Sequence, residues 1–425
     1  MKDLIAELRW RGFLAQTTSD DIAEYLLGGR RTIYVGFDPT AASLHLGSLV
    51  PVMGLAHAQR HGHRPIALVG GGTGLIGDPS GKSAERTLLT AEKAAENAEG
   101  IRRQLSRFFD LSSDAAGMML NNAEWLTPLS LIGFLRDVGK HFSVNEMIKR
   151  DSVRMRLEER DQGISYTEFS YMLLQAYDFL HLAQHHDCTV QMGGSDQWGN
   201  IVSGKDLIRR ILGTRAEGVT FPLLTTSTGK KFGKTEEGAV WLDAALTSPY
   251  QMYQYWIQTP DAEVVNYLKL FTFLDQAAIG ELEAATAAKP EAREAQKTLA
   301  KECTRIVHGG EAVEAVEQAT RILFGDATLV PGAETIALLA REVPSSEITR
   351  GELEAGIAMP DFLVRTGLAD SKGAARKLVD GGGVYVNNKR AGADRKAVTA
   401  ADIEWPGAIL ARAGKKSYHL LLVRA

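Results

Sequence analysis

A strand running straight into the start of a helix constrains this chain more than any other feature. Residues 32–37 (Thr-Ile-Tyr-Val-Gly-Phe) are β-branched and aromatic, which suits a buried strand. Asp38-Pro39-Thr40 is turn chemistry, because Pro39 removes a donor and disfavours the helical region for Asp38. Ser43 then suits an N-cap, and residues 44–59 carry a helical pattern. Such a junction aims free backbone N–H groups and the positive end of a helix dipole at one point. An anionic phosphate is the natural occupant, and His45, in the expected first turn, would face it. An ordinary strand–turn–helix with a surface histidine fits the same residues, and this stretch alone does not separate the two.

The run from Pro65 to Gly70 is short and apolar, as in a buried parallel strand, and its spacing suits a β-α-β unit. Residues 70–83 then bring a glycine-rich loop in which two phosphate motifs nearly fit. Gly72 to Gly77 matches G-x-G-x-x-G, but a helix must continue through its third glycine, and Pro79 opposes that. Gly77 to Ser83 is one residue short of a P-loop. The simpler expectation is a loop on which a ligand lies close to the backbone, with Asp78 projecting from it. Residues 84–110 and 128–160 read as helices, with a strand at 118–120 between them.

Residues 167–185 read as a helix with one broad apolar face. Tyr171, Gln175 and Asp178 fall at i, i+4 and i+7 and share one polar stripe. Buried, that stripe needs a polar ligand; exposed, it is an ordinary solvent face. His181, His185, His186 and Cys188 lack an H-E-x-x-H pattern and a matching cluster elsewhere, so no metal site is expected. A strand at 187–192 ends in Gly193-Gly194-Ser195-Asp196-Gln197-Trp198-Gly199-Asn200, which suits the ligand crevice of an open α/β sheet or a plain turn. Residues 226–238 are polar, glycine-rich and carry three lysines. Lys231 and Lys234 in such a loop suit closure on a polyphosphate, although a solvated loop has the same composition.

A chain of 425 residues suggests two or three domains. Two cysteines, Cys188 and Cys303, make no disulfide framework, which fits a reducing cytoplasm. Residues 39–59 lack Asp, Glu, Lys and Arg but hold two prolines and two histidines, so they do not read as a membrane span. The net charge of −4 is uneven: residues 358–425 carry 12 Lys+Arg against 6 Asp+Glu, or +6, which leaves −10 for the rest. A basic tail module on an acidic body suggests a polyanionic partner, RNA being the commonest, or else a solvated surface.

Taken together these stretches resemble the bacterial-type tyrosyl-tRNA synthetases, class I aminoacyl-tRNA synthetases. His45-Leu46-Gly47-Ser48 is similar to the family's "HIGH" signature, with Ser48 in place of the second histidine. Lys231-Phe232-Gly233-Lys234-Thr235 is similar to the tyrosyl form of "KMSKS", and the tail resembles an S-four-type RNA-binding module. The resemblance implies a Rossmann-like, doubly wound parallel-sheet α/β catalytic domain over 1–225 and a mobile lysine loop at 226–248. It further implies a helical domain at 249–325, a linker at 326–357 and a small α+β RNA-binding domain at 358–425.

It implies tyrosine activation by ATP, with Mg²⁺ arriving on the nucleotide, and transfer to tRNA-Tyr by a homodimer in the cytoplasm. The implied catalytic groups are His45, Ser48, Lys231, Lys234 and Thr235, with Lys82 and Arg86 assisting. Tyr34 and Asp178 are expected on the phenol, and Asp78, Tyr171 and Gln175 on the ammonium group. Gly36, Asp38, Thr40, Gly47, Asp196, Gln197 and Lys234 are expected around ATP and adenylate. Lys372, Arg376, Lys377, Lys415 and Lys416 are expected on tRNA.

Overall fold

A computed structural model describes residues 2–78, 90–113, 115–150, 153–154, 157, 164–225, 232–235, 238–392, 394–414 and 417–424. At 91, 234 and 235 it describes the backbone alone. Lys82, Arg86, Lys231, Lys415 and Lys416 lie outside the described residues. Contacts divide the chain into two compact units, one of residues 1–247 and 257–307, the other of 248–256 and 308–425.

The main sheet of the first unit has six strands: β1 (Gln16–Thr17), β2 (Thr32–Phe37), β3 (Arg64–Val69), β4 (Met118–Asn121), β5 (Cys188–Gly194) and β6 (Glu217–Phe221). Their order across the sheet is β1-β6-β5-β2-β3-β4. Every neighbouring pair is parallel except β1 with β6. The chain winds outward from β2 through β3 to β4, then returns to the other side as β5 and β6. That is the doubly wound plan, and its switch point lies between β2 and β5. Ile33, Val35, Ile66, Leu68 and Val190 are buried within it, as strands covered on both faces require.

The helix Tyr166–His186 starts on Ser165, whose hydroxyl accepts Glu168 N, and ends where Asp187 turns left-handed at φ 51°. It lies against the helix Trp198–Leu212 at Gly204, where an added Cβ would stand 2.9 Å from the Phe179 ring. Arg11, which is 3% exposed, donates to the carbonyls of Lys269 (2.9 Å), Thr272 (2.9 Å) and Leu274 (2.7 Å). It thereby closes the carbonyl end of the helix Asp261–Phe271, where cations are favoured.

Three sequence expectations need correction here. The helix after β2 begins at Leu49, behind a 3₁₀ turn at Leu46–Ser48, and His45 is extended (φ −118°, ψ 170°). Ser43 is therefore no N-cap. Leu46 N donates to Val240 O (2.9 Å) and Leu242 N to Leu44 O (2.8 Å), so distant backbone claims these groups before a helix can. The expected helix over 128–160 is several short pieces, Leu131–Asp137, Gly139–His141 and Val144–Ile148, broken where Phe142 and Ser143 are extended. The third correction falls in the second unit.

That unit carries the helices Gly310–Leu323 and Ala333–Glu342 and a five-stranded sheet. Ser417–Arg424 pairs antiparallel with Ala408–Ala413 and parallel with Ser345–Thr349. The sequence places residues 345–349 in a linker, yet they are an edge strand of this sheet. Phe362, Leu363, Val384, Ile409 and Leu421 form its buried core. Among the described residues no helix is long and apolar enough to cross a membrane.

Candidate active site

Pairing of β2 with β5 ends at Tyr34↔Gln191, and beyond it the carboxyl ends of the two strands part at the switch point, the place where open α/β sheets form a ligand crevice. Gly36 is exposed in the middle of an otherwise buried strand, with open space where a Cβ would stand, so a ligand can reach the backbone there. At Gly70 an added Cβ would stand 2.4 Å from Asp38 Oδ1 and 2.5 Å from Thr73 Oγ1, so only glycine lets these groups meet. Thr40 is exposed on the turn beyond, its N–H bonded to Asp38 O at 2.8 Å.

Deep in the crevice Tyr34 is 1% exposed, and its hydroxyl is buried with no hydrogen-bond partner among the described residues. Burial, and then the Asp178 charge, hold its pKa well above the usual tyrosine value. Asp178 is 2% exposed. One carboxylate oxygen accepts Asn122 Nδ2 and the other Trp125 Nε1, both at 2.8 Å. Burial pushes its pKa up to about 7, against the pull of those two donors. Asn122 also donates to Thr73 Oγ1 (2.9 Å) and accepts Gly72 N (2.8 Å), fixing the glycine-rich loop to the same point. Trp125 stacks on His181, with centroids 4.2 Å apart and planes 15° apart. Asn122 and Trp125 received no role from the sequence. Their only signal was polar and aromatic residues just past the end of β4.

The polar stripe of the 166–186 helix faces inward at Tyr171 and Asp178, not to solvent. Tyr171 reaches Asp38 Oδ1 at 3.5 Å. Gln175 Oε1 accepts Asn200 Nδ2 (2.9 Å), which also donates to Gln197 Oε1 (3.1 Å). Gln197 Nε2 donates in turn to Asp78 Oδ2 (2.7 Å). The carboxylates here act in two pairs: Asp38 raises the pKa of Asp178, and Asp78 raises that of Asp196, in each case after burial has done so. An anionic crevice of this kind favours an ammonium group.

On the other side His45 bridges to Trp241 as an isolated β pair, its ring edge-on to the indole at 6.1 Å. Gly47 and Ser48 are half-buried in the turn that follows. An added Cβ on Gly47 would stand 2.7 Å from the His45 ring, and one on Gly233 would stand 2.9 Å from Gly47 N. The two signature stretches are thus in direct contact. Phe232, 5% exposed, stacks on Phe271 with centroids 5.0 Å and planes 7° apart. The backbone of Lys234–Thr235 pairs with Gly238–Ala239.

In the second unit Arg376 and Lys377 are exposed on the helix Lys372–Asp380, and Lys372 pairs with Asp361. Among the described residues no group of three His, Cys, Asp or Glu side chains is placed to hold a metal ion.

Comparison with known proteins gives the class first. Residues 28–325 match the family of class I tRNA synthetases (W and Y), and residues 335–421 match the tyrosine–tRNA ligase SYY-like C-terminal domain. The tyrosine–tRNA ligases of Roseiflexus castenholzii and Desulfosudis oleivorans are 52% and 51% identical to this chain, each over 99% of it and over 99% and 98% of their own lengths. This chain belongs to the tyrosine–tRNA ligase family. A C-terminally truncated mitochondrial tyrosyl-tRNA synthetase of Aspergillus nidulans superposes with a TM-score of 0.68 at 32% identity, covering 76% of this chain and 95% of that one. A tryptophanyl-tRNA synthetase of Encephalitozoon cuniculi shares the fold at 15% identity, with a TM-score of 0.53 over 73% of this chain and 87% of that one. Fold alone therefore does not separate the two amino acids; the crevice must.

Proposed function

We propose that this chain joins L-tyrosine to tRNA-Tyr in two steps, using ATP. A tyrosine carboxylate oxygen attacks the α-phosphorus of ATP, the bond to the bridging oxygen breaks, and pyrophosphate leaves. A hydroxyl of the 3′-terminal ribose of tRNA then attacks the tyrosyl carbonyl carbon, and AMP leaves. Neither step needs an enzyme nucleophile, so positioning and electrostatic stabilisation supply the rate.

The observation that carries the choice of tyrosine is the orphaned Tyr34 hydroxyl beside an Asp178 whose oxygens are already oriented by Asn122 and Trp125. A phenol completes both groups. A phenylalanine ring leaves the Tyr34 hydroxyl buried without a partner, at a cost of about 1–3 kcal/mol, and gives Asp178 nothing beyond the two donors it already has. Asp78, Tyr171 and Gln175 take the ammonium group. Gly36, Asp38, Thr40, Gly47, Asp196 and Gln197 surround ATP and the adenylate. His45 and Ser48 bind phosphate oxygens, and Lys231, Lys234 and Thr235 hold the departing pyrophosphate. Mg²⁺ enters as part of the ATP substrate.

In the second unit Lys372, Arg376, Lys377, Lys415 and Lys416 bind the tRNA backbone, and the enzyme works in the cytoplasm. It acts as a homodimer, for which the exposed Leu131 (70%) and Ile132 (74%) give an apolar face to cover; sedimentation at monomer mass would refute that. The test of the activity is ATP–pyrophosphate exchange against all twenty amino acids. Exchange with tyrosine alone is expected, and exchange driven by tryptophan or by none would overturn the reading.

A further inference from the structure

Ser43 and Gln104 have no role in the reading above, yet they join three segments beside the His45 turn. Ser43 is 4% exposed. Its hydroxyl donates to Leu44 O (2.7 Å) and accepts both Gln104 Nε2 (3.0 Å) and Asp243 N (3.1 Å). Gln104 Oε1 accepts Leu44 N at 2.8 Å, so one amide grips two successive residues immediately before His45. The helix Ala91–Leu105 meets the same loop twice more. Asn97 Nδ2 donates to Pro39 O (2.8 Å), and Gly100 lies so close that an added Cβ would stand 2.1 Å from Ala42 O. Asn97, Gly100 and Gln104 fall at i, i+3 and i+7, one face of one helix laid along the loop. Opposite, residues 240–242 bond the backbone at 44 and 46, and they follow the lysine stretch in sequence.

We propose that the Ser43 hydroxyl and the Gln104 amide form a positioning node that sets the His45 turn and the segment 240–243, which follows the lysine stretch, in the register ATP activation needs. The proposal rests on the tyrosine-activating reading given above. A purely structural filler at this place needs only volume and satisfied polar atoms. The node instead fixes the peptide that carries His45 and the backbone N–H of Asp243 through one shared oxygen. Losing either member lets two walls of the nucleotide site move independently, which chemistry that depends on alignment senses before substrate binding does.

Ser43→Ala, Gln104→Met and the double variant test this by ATP–pyrophosphate exchange, tyrosine equilibrium dialysis and thermal unfolding. Each single variant is expected to lower the activation kcat at least about fivefold. Tyrosine Kd should stay within about twofold, because the amino-acid pocket is not altered. The double variant should be no more than about twofold worse than the weaker single one, because both break one unit. Gln104→Met keeps the side-chain length at a half-buried position, so a folding failure of Ser43→Ala alone does not decide the matter. Unchanged kcat with a lowered unfolding temperature, a parallel loss of tyrosine affinity, or fully multiplicative effects would each overturn the node. No tyrosine-dependent exchange in the parent protein would overturn the activity and the node together.

Discussion

Trp125→Phe removes one donor from Asp178 while keeping a ring to stack on His181. The lost bond is 2.8 Å long, buried, and made to a carboxylate. Hydrogen bonds to charged groups contribute about 1.5–3 kcal/mol. Taking that from the ionised form raises the carboxyl pKa by roughly one to two pH units from its present value near 7. The phenol of tyrosine needs the ionised acceptor, so affinity follows the ionised fraction. At pH 7 tyrosine should bind about five- to fiftyfold more weakly, and at pH 8.5 only about one- to fourfold. Equilibrium dialysis between pH 6 and 8.5 reads this, with phenylalanine as the control, since it has no donor for Asp178 to accept. A loss that is constant across this range, or equally large for phenylalanine, would refute the assignment of Asp178 and its donors.

Lys234→Ala should lower activation far more than it weakens tyrosine binding, as exchange kinetics and dialysis compared side by side would show; equal losses contradict its place on the pyrophosphate. Replacing Arg376 and Lys377 together by Ala should leave adenylate formation intact and reduce the salt dependence of tRNA binding by roughly 2 in log–log slope; an unchanged slope removes them from the interface. Burial lowers the pKa of His57 to about 2 and that of His63 to about 4. An unfolded histidine titrates near about 6.5, so below that pH the unfolded chain binds protons the folded one refuses. Their contribution is complete above about pH 6.5 and falls by about 1.4 kcal/mol per pH unit for each, down to those two values. Urea unfolding at pH 7 and 5 should show a smaller acid loss in His57→Leu than in the parent, and identical losses would exclude His57 as a source.

Long, strongly patterned elements were legible in the sequence. β2 spans the residues its β-branched run marks, and the helix at 166–186 exceeds its expected span by one residue at each end. That Tyr34 and Asp178 lie near one another was legible through resemblance. Asn122 and Trp125 were not, because no linear pattern tells which way a side chain points once β4 has ended. His45 was misplaced in a helix since residues 44–59 read as one locally; pairing with 240–242, some 200 residues on, overrides that preference. Ser345–Thr349 has one buried apolar residue, Ile348, and little strand signal of its own. Its conformation comes from Ser417–Arg424 beside it, which is information held elsewhere in the chain.

Arg11 plugs the carbonyl end of the helix whose last residue, Phe271, is the seat of Phe232. The amino-terminal segment is therefore a foundation for the lysine stretch. An affinity tag that frays the first turns, or a trim that takes Arg11 away, frees three carbonyls under that seat. Preparations that differ only at this end are, for that reason, not interchangeable in turnover measurements.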